Sequence, residues 1–308
     1  MQIMNRPLTG IVQDLDGALN AHGRIVAQNP LPENLNKIII GIQESHGVAR
    51  NASRYLANSE KMHSHFEHQN AIRDTAKRIV EIAGEERTHF ILENKNRFPD
   101  DWPAPVKEKL IRASQFEGQQ LQELNDPNKL QKHFRDVAYR ITRCDKRRER
   151  NKIRDAQEEL DQACEQWDKL SGGLRTAGSY LRNNKDRFLH GHQHEDEQWE
   201  IAMTQLQTNY ASAQDPVTKE YILSQMGVVT ANYYRTSHQG ILTVFQEDIP
   251  DNSVAVVFLG AAHFRSGEMI TLYPECDGTF FEDYIGGIRN ALTRILWPNG
   301  IDKCVHIS

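Results

Sequence analysis

One unit occurs twice in this chain and narrows what it can fold into: a short apolar run that passes through glycine and then reaches histidine. In the first copy Ile38-Ile39-Ile40-Gly41 leads to Glu44-Ser45-His46-Gly47. In the second, residues 254–259 lead to Gly260-Ala261-Ala262-His263. Short apolar runs without polar alternation are the mark of strands buried on both faces, as in a parallel sheet. Parallel strands deliver their ligands from their carboxyl ends, so two such strands in one sheet bring both histidines to one crevice although they lie far apart in sequence.

The rest of the chain fits that beginning. Residues 37–42 form the first expected strand, helical periodicity covers residues 70–83, and Gly84 stops it before a second strand at residues 88–92. Strand, helix, strand is how an α/β sheet opens. A short strand is expected at residues 187–190, helices at 198–210 and 216–246, and the strongest strand at 254–259. Further strands are expected at 269–273 and 303–307 with a helix over 281–295 between them, whereas residues 20–36, rich in Asn, Gly and Pro, read as irregular.

Between residues 104 and 183 strand signals vanish and apolar residues recur three and four apart. Leu130, Phe134, Val137, Ile141 and Cys144 make one seam; Ile153, Ala156, Leu160, Ala163, Trp167, Leu170 and Leu174 make another, which Gly172-Gly173 is expected to end. The phase slips across residues 146–150, so the seams belong to two helices or to one long helix with a stutter. The expected architecture is a single α/β domain, a central and mostly parallel sheet flanked by helices. It is built from residues 1–103 and 184–308, with a coiled-coil-like helical insertion at 104–183. Such seams can close within the chain or pair two chains as a homodimer. The polar helical stretch accounts for the mean hydropathy of -0.66.

Composition removes several function classes. With 37 Lys plus Arg against 42 Asp plus Glu, the net charge of -5 lacks the basic footprint of a dedicated nucleic-acid binder. No apolar stretch approaches bilayer length, so no transmembrane segment is expected. The first ten residues lack a Sec-type leader pattern, which points to a cytoplasmic protein or an effector secreted by another route. Cys144, Cys164, Cys276 and Cys304 have neither CxxC nor zinc-like spacing, so a reducing compartment is the default.

Several residues carry candidate chemistry. Glu44 and His46, just past a buried strand, can serve as base, metal ligand or hydrogen-bond pair, or can cap the next helix. Glu93 ends a strand directly after three large apolar residues and must leave the core or find a partner. His263 follows small residues that let backbone and ligand approach closely. His190 is the inward-pointing member of His190-Gly191-His192-Gln193-His194, a run with enough donors for a transition metal. That run resembles the GHxH motif of calcineurin-like phosphatases, but their DxH, GDxxD and GNH motifs are missing, and that family is set aside. Arg235 lies on an expected helix with His238 one turn later, placed to meet an anion or to stack on its tyrosine neighbours. His63, His65 and His68 lack the HExxH arrangement and read as a solvated helix face, as does the basic run at residues 146–150.

Together, Glu44-Ser45-His46-Gly47, the strand-final Glu93, the helical Arg235 and Gly260-Ala261-Ala262-His263 resemble the Tiki/TraB, ChaN-like and erythromycin-esterase-like superfamily. The likeness covers about residues 37–94 and 232–278. The second motif matches the superfamily's GxxH. The first departs from it, since Gly41 is followed by four residues before His46, and Gln43 stands where esterase-like members carry glutamate.

The resemblance implies a parallel α/β fold whose two halves each give a histidine to a cleft at the strand ends. Its members include metal-dependent peptidases, lactone-opening esterases and haem binders, and fold alone does not choose among them. The expectation is a hydrolase of a peptide or ester substrate in which His46 or Glu44 activates water, directly or on a divalent manganese, cobalt or zinc ion. Glu93 and His263 complete the site, His190 joins the metal set, and Arg235 binds a carboxylate or an oxyanion. The alternative is a non-enzymatic effector or ligand binder that docks on a protein partner through the helical insertion.

Overall fold

The computed structural model describes residues 6–45, 59–93, 102–115, 171–192, 196–260 and 285–304, with short helical pieces between 132 and 159. In chain order the elements are α1 (Val12–His22), β1 (Gly23–Gln28), β2 (Lys37–Glu44), α2 (Ser59–Ala83), β3 (Thr88–Glu93), α3 (Ala104–Ser114) and α4 (Gly172–Arg182). They continue with β4 (Leu189–His192), α5 (Asp196–Ser212), α6 (Pro216–Glu247), β5 (Ser253–Gly260), β6 (Ala291–Pro298) and α7 (Ile301–Cys304). The strands form one sheet in the order β1-β6-β2-β5-β3-β4, in which only β1 runs antiparallel to its neighbour. The expected α/β fold with a mostly parallel sheet is the one observed.

The alternation of each strand divides its side chains between two cores. Ile38, Ile40 and Ile42 of β2, Phe90 and Leu92 of β3, and Val254, Val256 and Phe258 of β5 pack on one face. There they meet Leu15 and Leu19 of α1, Ile72 and Ile79 of α2, Leu110 of α3, and Ala177 and Tyr180 of α4. Ile39, Ile91, Ala255, Val257 and Leu259 face the other way, onto Ile241, Val244 and Phe245 of α6. Helix α5 lies on α6 around Met203, Ile222 and Met226. Both ends of the region expected as an insertion, α3 and α4, therefore sit in the helical layer that covers the sheet.

Close contacts in that layer depend on missing side chains. A Cβ at Gly172 would stand 2.3 Å from the carbonyl oxygen of Gln69, and one at Gly178 would stand 1.9 Å from that of Leu110. Gly172-Gly173, expected to end the preceding seam, stands in the first turn of α4, where glycine lets that helix approach α2. Within the insertion, Arg140 Nη2 meets Glu159 Oε2 at 2.7 Å across 19 residues. A continuous helix would hold them about 28 Å apart, so Arg140 and Glu159 do not lie on one straight helix.

Three expectations fail. Residues 291–295 are strand, not helix: β6 lies between β1 and β2 with every residue buried, so it lacks the polar alternation that would mark it, and Asn290 at φ 64° turns the chain into it. Residues 303 and 304 belong to the short helix α7, not to a strand. Residues 23–28, within the stretch read as irregular, form the edge strand β1, which carries a bulge at the exposed Val26. The expected strand at 269–273 lies outside the described residues.

The glycine contacts yield a paired prediction. Gly178→Ala should lower stability by at least about 2 kcal/mol through overpacking against α3. Gly17→Ala, mid-helix in α1 with nothing within 4 Å of the new Cβ, should raise it by about 1 kcal/mol. Urea denaturation midpoints check both.

Candidate functional site at the carboxyl edge of the sheet

β2 and β5 are hydrogen-bonded neighbours, parallel and in register over eight positions from Lys37↔Ser253 to Glu44↔Gly260. From these two strands the chain departs in opposite senses: β2 leads through α2 to β3 beyond β5, and β5 leads to β6 beyond β2. Neighbouring parallel strands whose connections diverge open a crevice at their carboxyl ends, the usual ligand position in open α/β sheets. The register also levels Glu93 of β3 with His192 of β4 at that edge. Of Glu93 and His192 the backbone alone is described, and His46 and His263 lie outside the described residues.

Glu44 is 5% exposed and points to the α2–α4 side. Its Oε1 accepts a hydrogen bond from Ser171 Oγ, just before α4. Its Oε2 lies 3.1 Å from the point a Cβ on Gly173 would occupy, so the carboxylate rests against the first turn of that helix. Unpaired N–H groups and the helix dipole favour an anion there.

His68, fully buried on α2, accepts through Nε2 from the Ser45 N–H at 2.9 Å. An accepting Nε2 places the ring proton on Nδ1. Gln69 Oε1 accepts from the Gly172 N–H at 2.5 Å, and Arg175 Nη2 reaches Asn70 Oδ1 at 3.3 Å. Two histidines expected on a solvated face are thus inside: His65 and His68 are buried, whereas His63 and Glu67 are exposed. Their i, i+3 spacing was a visible sign of a shared helix side, but the polarity of the neighbours masked which side was buried. Burial, and then the Arg175 charge, push the His65 imidazole down to about 3.

On the opposite face, His190 of β4 is buried and its Nε2 lies 3.0 Å from Nδ1 of His89 on β3. Phe188 stands edge-on to His89. Burial, then the His190 and Arg187 charges, lower His89 to about 4. His89 escaped the sequence reading because it sits at the second position of an apolar strand, where a lone histidine gives no periodic signal. His238 of α6 is buried and stacks on Tyr234, but Arg235 is exposed and donates to Asn232 Oδ1 at 2.9 Å.

Among the expected site residues, then, Glu44 and His190 are buried near the carboxyl edge on opposite faces of the sheet, and Arg235 lies on the outer side of α6. Among the described residues no group of three or more His, Cys, Asp or Glu is placed to hold a metal ion, and no helix is long and apolar enough to cross a membrane. No protein-family model, curated protein or solved structure matches the chain.

His65 and His89 set a pH dependence. Both are depressed below 6.5 in the folded chain, so between their folded values and 6.5 the unfolded chain binds more protons. Their stabilising contribution is full above 6.5 and is lost as the pH falls, at up to about 1.4 kcal/mol per pH unit for each. The melting temperature should therefore fall from about pH 7 to about pH 5, and less steeply in His89→Gln.

Proposed function

We propose that the chain is a hydrolase of peptide or ester substrates, working at the carboxyl edge where β2 and β5 part, and distantly related to the Tiki/TraB, ChaN-like and erythromycin-esterase-like superfamily. The in-register pairing of Glu44 with Gly260 carries this reading. His46 follows Glu44 by two residues and His263 follows Gly260 by three, so covalent reach limits each histidine to about 7 Å and 11 Å, respectively, from a pair of adjacent backbones.

In this reading His46 is the base that takes a proton from the attacking water, and His263 and Glu93 hold and polarise the reacting group. Glu44 is a positioning residue, since its carboxylate is engaged by Ser171 at the start of α4. His68 serves the same end by fixing the backbone N–H of Ser45, from which the chain goes on to His46. Imidazole and carboxylate donors suit a divalent manganese, cobalt or zinc ion, which when bound would lower the pKa of a water ligand.

A second reading, an interaction protein, draws on the helical segments joined at Arg140 and Glu159, which could serve as a docking arm.

Screening ester and peptide substrates on wild type beside His46→Ala and His263→Ala tests the main reading. Each substitution should lower kcat/KM at least about 100-fold with little change in melting temperature. The double variant should also lose any stoichiometric metal that the wild type carries. Full activity in the double variant would reject the hydrolase site. His68→Gln should lower kcat more than it raises KM, by about tenfold, because it loosens the take-off of the His46 segment without touching substrate.

A further inference from the structure

The turn between β6 and α7 carries the one Asn-Gly pair in the chain, Asn299-Gly300. Asn299 is exposed, and Gly300 follows it at φ 82°. Glycine has no side chain to shield its amide nitrogen from the side chain of the residue before it. Three other exposed asparagines, Asn184, Asn252 and Asn290, adopt positive φ. Lys185, Ser253 and Ala291 follow them, each with a Cβ beside the nitrogen, and Asn252 Oδ1 is held by Arg87 Nη2 at 2.8 Å.

The same turn is held from several sides. The Asn299 N–H donates to the His22 carbonyl at 2.8 Å, and Trp297 Nε1 donates across the turn to Asp302 Oδ1 at 2.7 Å. A Cβ on Gly300 would stand 2.4 Å from the Ser64 carbonyl oxygen and 2.8 Å from the His68 nitrogen. The backbone at Gly300 is therefore pressed against α2, with no room for an added atom.

We infer that Asn299 is a site of spontaneous deamidation in the folded chain, and that the isoaspartate it forms loosens the packing of this turn on α2. The Gly300 nitrogen attacks Cγ of Asn299. A new C–N bond closes a cyclic imide, the Cγ–Nδ2 bond breaks, and the proton from the Gly300 nitrogen leaves with the ammonia. Water then opens the imide at either carbonyl, giving aspartate or isoaspartate, with no oxidant or cofactor consumed. Both products add a negative charge to a chain already at -5. Isoaspartate alone lengthens the backbone, by one methylene, and pushes it toward Ser64 and His68. His68 is the residue whose Nε2 accepts from the Ser45 N–H, so the change is felt at the carboxyl edge of the sheet. The inference stands apart from the hydrolase reading, because its readouts are mass and melting temperature.

Storage of the full chain for weeks in mildly alkaline buffer, beside Asn299→Ser, tests it. Peptide mass spectrometry should find a gain of about 1 Da at residue 299 of stored wild type, split between aspartate and isoaspartate peptides. The melting temperature of stored wild type should fall by about 3 °C, whereas stored Asn299→Ser should keep its initial value. Fresh Asn299→Asp has the added charge without the methylene and should melt with fresh wild type. A mass gain that appears only when the chain is stored unfolded in urea overturns the inference, because the folded turn then protects Asn299. So does aspartate as the sole product, or an equal fall in melting temperature in stored Asn299→Ser.

Discussion

Everything else in the molecule hangs on the pairing of β2 with β5. These strands share eight consecutive register positions at the centre of the sheet, and nearly every side chain on them is buried. Their backbone groups have no access to water and must bond to a neighbouring strand, which fixes β6 on one side and β3 on the other. Apolar side chains project from both faces of the pair, so both faces need a helical cover. The connections must then cross above and below the sheet, and the divergence at the carboxyl ends follows from that winding.

The helical cover on the α2–α4 side is held by close backbone approach as much as by side-chain packing. Gly172 and Gly178 let α4 settle on α2 and α3, and Gly300, at φ 82°, brings the turn before α7 against the backbone of α2 near Ser64. Glu44, His65, His68, Gln69 and Arg175 lie in the layer so formed. Buried polar groups are costly without partners, and two here, His68 and Gln69, accept from backbone N–H groups at the end of β2 and the beginning of α4. Those bonds tie the helical layer to the edge where the candidate site lies.

Much of this fold could be seen in the residue order. β2, β3 and β5 were visible as β-branched or aromatic runs, β4 only in part, since the strand expected at 187–190 begins at Leu189 after a 3-10 turn and runs to His192, and α2, α5 and α6 as periodic stretches bounded by Gly84, Pro216 and polar turns. What stayed hidden had physical causes. β6 is buried on both sides, so Ala291 to Pro298 shows no alternation, and its Leu292, Ile295 and Leu296 mimic helical spacing. β1 is a half-exposed edge whose Arg24 and Gln28 dilute its signal. At the site, sequence located the strand ends through Glu44 and Gly260 but gave no sign that Ser171, from the far side of the insertion, would engage Glu44. That contact is a product of tertiary folding. The inward turn of His65 and His68 was hidden because α2 is polar on average and its burial is set by α4 and α7.

The two margins of the sheet differ from its centre in a way that bears on solubility. On one side β1 is bent by its bulge at Val26, and Asn29 closes the adjoining stretch of β6 by bonding to the Ala291 carbonyl at 2.8 Å and the Thr293 N–H at 2.7 Å. On the other side β4 is only four residues long. A kinked margin and a stub are both poor templates for an incoming strand. Sheet growth from chain to chain is thereby discouraged at both borders, and the highly apolar interior strands can be carried without inviting fibrous association.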